Sequence, residues 1–382
     1  MMGYCIKIVF FLFLVGISGK ILAQEKTGQP IDIVFCLDLS NSSNGLVDHF
    51  RNHLWDYWSF FSNCKPQPNY RIGVVAYARF SYGKSDGYSH VIADLGNNFD
   101  ALSNILYKIP SRTEKGDNYV GSALKTCLRK ISWSKNPSST KIIFLVGNGE
   151  VTNGPVDIDK IVDKIVSENI TIIPIYITAV GETKAIQGWQ RLSMKGKGKI
   201  ASINLRNIYF DRLDGFDMHR FRALNRRFNS TYLYYGKDGK ANARMLKEED
   251  NNIYIANTQG FRYRIQYKVS DDFQRKNASW DLVDLYYKNP VAFMGIDRKT
   301  LNDTCRKMTN QQLKAYIIYK RYERKKIASL ISDMLIEKEK YDKENGIDQS
   351  KNMPTLDTQS LKRIGEYLKE KGCDCELIGY GD

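Results

Sequence analysis

One turn of the 382-residue chain carries a carboxylate and two hydroxyls at alternate positions: Asp38-Leu39-Ser40-Asn41-Ser42. Short oxygen-bearing side chains at that spacing can all face one hard cation, and magnesium, which keeps several of its waters, needs only a few of them. Asp38 would then act through its charge, and Ser40 and Ser42 as neutral ligands. A plainer role also suits these residues, because aspartate and serine cap the start of a helix well. Two later segments hold similar polar turns: Gly116-Asp117-Asn118-Tyr119-Val120-Gly121-Ser122-Ala123-Leu124 and Phe144-Leu145-Val146-Gly147-Asn148-Gly149-Glu150.

Catalytic materials are sparse. The chain has four histidines, and the pair with metal-ligand spacing, His49 and His53, is followed at its first member by Phe50, so the glutamate base of an H-E-x-x-H protease is missing. No G-x-S-x-G nucleophile turn and no G-x-x-x-x-G-K phosphate loop occurs. These histidines read as helix-surface residues and the chain as a non-enzyme. Cys36 lies in an apolar strand run and Cys127 on an apolar helix face, where buried thiols are expected. Cys373-Asp374-Cys375 lacks the two-residue spacer of a zinc or redox motif. Cys64 and Cys305 complete the six that follow residue 24, and their pairing is open from sequence.

The elements that must position these turns follow an alternating rhythm. Ile31 to Leu39 is a near-continuous apolar run, as in a strand buried on both faces. Leu46, Val47, Phe50, Leu54, Tyr57, Trp58 and Phe61 then recur at three- and four-residue steps on one helix face, and Pro66 and Pro68 end that helix. Strands are expected at Arg71 to Arg79, Ser89 to Leu95 (antiparallel), Lys141 to Val146, Thr171 to Thr178, Lys199 to Leu205 and Thr231 to Tyr235, with helices between them. Pro174 cannot donate to a ladder, which predicts an edge position or a bulge. The pattern defines an α/β fold: a doubly wound, mostly parallel sheet with helices on both faces and ligand sites at the carboxyl ends of the strands.

Asp-x-Ser-x-Ser after an apolar first strand resembles the metal-ion-dependent adhesion site of von Willebrand factor A domains. The segments around Gly121-Ser122-Ala123-Leu124 and Gly147-Asn148-Gly149 are similar to that family's second and third loops, in the same order. The resemblance covers about residues 31–236 and implies a Rossmann-like domain that binds protein and turns nothing over. It also implies a divalent-metal site, magnesium or another cation, of Asp38, Ser40, Ser42, Asn148 and either Asp117 or Asn118, whose open position docks a partner's carboxylate. The site departs from the family twice: Asn118 stands at its threonine position and Asn148 at its third-loop aspartate position, so the site is degenerate and one negative charge is lost.

The amino terminus reads as a signal peptide over residues 1–24. One lysine precedes the apolar run Ile8 to Ile17, which is too short to span a bilayer, and small Ala23 sits near a cleavage point. An exported, periplasmic or secreted chain of bacterial type is therefore expected, with no transmembrane segment in its mature part. The formal charge of +15 comes from 57 basic and 42 acidic residues. Export argues against nucleic acid as its counterpart. Residues 237–382 read as a mainly α-helical extension. In it Tyr254 to Lys268 alternates aromatic and basic residues with the period of a half-buried strand, Trp280 to Tyr287 is a short apolar element, Gln311 to Asn345 is a long helix with a basic centre at Lys320, Arg321, Arg324, Lys325 and Lys326, and Ser360 to Lys371 is a last amphipathic helix. The expected function is adhesion or scaffolding by protein-protein interaction with another envelope or extracellular protein. The alternative is a metal-free structural subunit of a cell-envelope assembly acting through the helical arm, which also offers an anionic surface its basic contact.

Overall fold

The computed structural model of the chain describes residues 28–178, 185–206, 213–270, 273, 277–346 and 354–375. The expected signal peptide lies outside them. The centre is a six-stranded sheet in the order β4-β3-β1-β5-β6-β7. Its strands are β1 (Pro30–Asp38), β3 (Asn69–Tyr77), β4 (Ser89–Gly96), β5 (Thr140–Gly147), β6 (Ile170–Ile177) and β7 (Ala201–Ile203). All neighbours are parallel except β3 and β4, as the sequence predicts. β1 sits between β3 and β5, with Phe35 opposite both Val74 and Phe144. The strand order therefore reverses at β1, and the crevice above its carboxyl end, between Asp38 and the end of β5, is where a ligand site is expected in such a sheet.

Side-chain alternation divides β1 between two cores. Val34 and Cys36 point into a layer with Ile143, Leu145, Cys127 and Trp189, covered by α4 (Val120–Lys130), α5 (Ile158–Ser167) and α6 (Ala185–Lys195). Ile33, Phe35 and Leu37 point the other way, where Phe35 stacks on Phe144 with centroids 5.1 Å apart. That second face is covered by α1 (Leu46–Asn52), α2 (Leu54–Asn63), α3 (Phe99–Tyr107) and α7 (Met218–Asn229) together with helices of the carboxyl-terminal third. The helix read as one piece from Leu46 to Phe61 is broken at His53, whose backbone leaves helical geometry (φ −102°, ψ 10°).

The carboxyl-terminal third is helical, as expected, and its longer helices among the described residues are α8 (Gly239–Ala256), α9 (Thr258–Val269), α10 (Leu282–Lys288), α11 (Asn310–Glu344) and α12 (Leu356–Glu370). α11, 35 residues long, packs along α7, α9 and α10 instead of projecting. Three sequence expectations are corrected. Tyr254 to Lys268 is helical: Phe261, Arg264, Ile265 and Lys268 are buried at steps of three and four, and the two cations are neutralised inside by Asp250, with Asp100 also on Arg264. Thr231 to Tyr235 is an extended passage whose one bridge, Tyr234 to Asp281, lies outside the main sheet. Pro174 is in register within β6 beside Leu145, and pairing with β7 begins only at Ile175, so no ladder partner is denied on that side. A two-stranded ribbon of β2 (Cys64–Lys65) and β8 (Asp374–Cys375) carries the disulfide Cys64–Cys375.

Candidate functional site

Asp38 is the last residue of β1, and the parallel strands on either side bury it completely. The chain turns at once: Ser40 is extended, Asn41–Ser43 form a single 3-10 turn, and Gly45, at φ +93°, leads into α1. This tight return folds Asp38 Oδ1 onto the backbone N–H of Ser40 at 2.8 Å and brings the Ser40 and Ser42 hydroxyls within 2.9 Å of each other. The third segment enters from the end of β5. Gly147 is required there, because a Cβ would lie 2.4 Å from Tyr77 Oη and 2.8 Å from Asp38 Cβ. Asn148 follows and accepts at Oδ1 from Ser42 Oγ at 2.8 Å, while Trp189 Nε1 holds the Gly149 carbonyl at 2.9 Å.

The second segment arrives through Gly116, whose Cβ would be 2.0 Å from the Ala78 carbonyl, so only glycine lets that loop press against the end of β3. Asn118 then reaches the centre: its Nδ2 donates to the Asn148 carbonyl at 2.5 Å and to Asp38 Oδ2 at 3.4 Å. The three sequence segments therefore converge, bringing Asp38, Ser40, Ser42, Asn118 and Asn148 into one network. Asp117 does not join it. Its side chain is exposed, and its carbonyl accepts from the Tyr119 N–H at 3.0 Å.

The electrostatics centre on one buried carboxylate. Burial pushes the Asp38 carboxyl above its ordinary value, and the hydrogen bonds from Ser40 offset this only in part. Among the described residues no cationic side chain forms an ion pair with Asp38, and a buried carboxylate without a counter-charge is costly. Asn118 Oδ1 is buried and accepts no hydrogen bond. Its Nδ2 is spent on the Asn148 carbonyl and Asp38, so Oδ1 is a further buried oxygen beside the carboxylate with no donor facing it. The donors are all hard oxygens, so the residues present fit a magnesium-class ion.

The histidines are not on a solvent face. His53 is 8% exposed, His49 is half-buried, and their rings stack with centroids 4.5 Å apart against Asp357 of α12. Sequence spacing gave the pair, but nothing in the sequence signalled a partner 308 residues away. The basic centre of α11 is also divided. Lys325 and Lys326 are exposed, whereas Arg324 is fully buried and donates to Asp281 at 2.9 Å and Asp284 at 2.7 Å.

Residues 32–209, just under half of the chain, match the family described as von Willebrand factor type A domain. No curated protein matches the sequence. Among solved structures, an aerotolerance-related membrane protein from Bacteroides fragilis is similar at 14% identity and TM-score 0.34, over 45% of this chain and 91% of that one. Proximal thread matrix protein 1 from the mussel byssus, with a zinc-occupied MIDAS motif, is similar at 16% identity and TM-score 0.35, over 46% of this chain and 41% of its own. The SpRpn10 VWA domain is similar at 15% identity and TM-score 0.33, over 47% and 90%.

Proposed function

We propose that this chain is an exported, non-enzymatic binding module that engages another envelope or extracellular protein through the loops at the ends of β1, β3 and β5. Domains of the von Willebrand factor A type commonly serve protein interaction or adhesion. The observation that carries the reading is Asp38: a fully buried carboxylate, ringed by Ser40, Ser42, Asn118 and Asn148, with no cationic partner among the described residues and an unused amide oxygen beside it. Asp38, Ser40, Ser42, Asn118 and Asn148 would hold a divalent cation. When bound, such an ion supplies an electrophilic point for an acidic side chain of the partner. Asp38 provides the site's charge and the serines its neutral oxygens. Asn148, in place of a carboxylate, leaves the site with one negative charge fewer and a weaker hold on the ion.

Export is supported by the short apolar run at Ile8 to Ile17 and by the Cys64–Cys375 disulfide, which suits an oxidising compartment. Two units, residues 31–236 and 237–382, remain our division of the chain, although the core behind Phe35 is shared between them. Among the described residues no helix is long and apolar enough to cross a membrane.

The alternative, a metal-free structural subunit working through α11, is favoured by one observation: Ile318, Tyr319, Tyr322 and Ile336 are exposed along that helix, beside Lys325 and Lys326. Capture of crosslinked partners by the intact chain separates the two readings. Loss of capture in Asp38→Asn, with capture retained in a Tyr319→Ser/Tyr322→Ser double variant, supports the loop site, and the reverse pattern supports the helical arm.

A further inference from the structure

A second constellation lies where α1, α2 and α12 meet, and it shares no residue with the Asp38 network. His49 and His53 are four residues apart, so both rings emerge on one side of the α1–α2 corner and stack, with an interplanar angle of 29°. Asp357 faces both: its Oδ1 is 3.0 Å from His49 Nε2 and its Oδ2 is 3.8 Å from His53 Nδ1. One ring nitrogen from each histidine and one carboxylate oxygen of Asp357 lie within 4.8 Å of one another. Asp56 backs the group, with Oδ2 2.7 Å from His53 Nδ1, while its other oxygen is buried and has no hydrogen-bond partner.

Two carboxylates, Asp56 at 3% and Asp357 at 4% exposure, are thus packed together out of water. Positive charge beside such a pair offsets its cost. Protonated imidazoles supply it in the metal-free molecule, and one divalent cation held by the same two rings in neutral form and a carboxylate supplies it in their place. Nitrogen donors mixed with carboxylate suit zinc and neighbouring transition ions, in contrast to the oxygen-only Asp38 cluster, which suits magnesium. A carboxylate hydrogen-bonded to a ligating histidine fixes the ring's tautomer and orientation, the part Asp56 is placed to play.

We propose that His49, His53 and Asp357 form a zinc-class metal site, with Asp56 as the residue positioning His53, and that the metal ties α12 to the α1–α2 corner. The site is independent of the function proposed above. Its placement gives the metal a mechanical consequence. The two histidines lie beside the break at residue 53, Asp357 is in the first turn of α12, and the disulfide after α12 fastens the other end of the same helix to the end of α2.

The test uses the untagged, chelator-stripped intact chain in mildly alkaline buffer, where protons compete least for the ring nitrogens. Zinc is titrated by calorimetry, and cobalt(II) by visible absorption as a spectroscopic stand-in. Wild type is expected to show cobalt bands from nitrogen donors, which the oxygen-only Asp38 cluster does not supply and which Asp38→Asn should therefore keep. His49→Gln and Asp357→Asn should lose the bands and the zinc-induced rise in Tm, and Asp56→Asn should bind about 10–100-fold more weakly. Circular dichroism of each variant separates ligand loss from misfolding. His49 is half-buried, so its variant is the one best able to keep the fold. No zinc uptake by wild type, or uptake undiminished in folded His49→Gln, overturns the proposal. Loss in Asp38→Asn alone would move the zinc to the other cluster and overturn it equally.

Discussion

Ser42 and Asn148, 106 residues apart, share a hydrogen bond of 2.8 Å from Oγ to Oδ1 that closes the turn after β1 onto the turn after β5. The bond ties the two sides of the point where strand order reverses, and it places an amide at a position where a carboxylate would add charge. Asn148→Asp should therefore bind magnesium or manganese at least ~10-fold more tightly than wild type, since hard-cation affinity rises with the number of charged ligands. Without metal the same variant should melt lower, because two carboxylates then share a buried site. Thermal shift with and without magnesium reads both effects, and equal shifts in the two proteins would count against a cation at Asn148.

Arg324 is the buried fastening of α11. Its guanidinium meets Asp281, Asp284 and the Thr231 hydroxyl and carbonyl, and lies 4.3 Å from the Tyr232 ring centroid. Removing one partner of such a group strands the opposite charges, at a cost of ~3–5 kcal/mol. Arg324→Ala should lose that much in urea denaturation. Arg324→Lys should recover only part of it, because a point charge cannot reproduce the fork. Near-wild-type stability for Arg324→Ala would show that α11 is held by its apolar face alone.

Asp284, in the same cluster, gives a pH signature. Burial raises its carboxyl from 3.8 to about 7, with Asp281 adding to the rise and Arg324 and Arg321 opposing it. The folded form then holds a proton that the unfolded form releases near pH 4, so stability falls as pH rises between those values. Asp284→Asn removes this titration while keeping an oxygen toward Arg324. Its stability relative to wild type should increase between about pH 4 and 8, by ~1–3 kcal/mol. Guanidinium melts at several pH values measure it, and parallel curves would remove Asp284 from the account.

The Cys64–Cys375 bridge closes a loop of 311 residues and fixes β8 beside β2. Cys64→Ser, or a reducing agent with wild type, should cost ~2–5 kcal/mol and lower Tm accordingly. Cys36 and Cys127 are buried thiols that labelling should reach only on unfolding. A Tm indifferent to reductant would contradict this.

The sheet was legible in the sequence because strands buried on both faces must be continuously apolar, as Ile31 to Leu39 is, and because Asp38 and Asn148 each stand at the end of such a run, with Asn118 just before the helix α4. What misled were charges on inward faces. Arg264 and Lys268 make Tyr254 to Lys268 read as a half-buried strand, and Arg324 reads as part of the basic centre of its helix, because composition does not show the aspartates that neutralise them. Asp357 beside His49 and Cys375 beside Cys64 were illegible for another reason. Each contact joins residues more than 300 positions apart, and no local pattern encodes it.

The central claim, that the Asp38 network is a divalent-cation site, is tested most directly by calorimetric titration of magnesium and manganese into the intact wild-type chain and into Asp38→Asn. The prediction is a saturable magnesium site in wild type that Asp38→Asn lacks while keeping its fold by circular dichroism, with manganese binding weakened in parallel. No heat and no thermal shift with either ion in wild type, or equal binding in the variant, would contradict it.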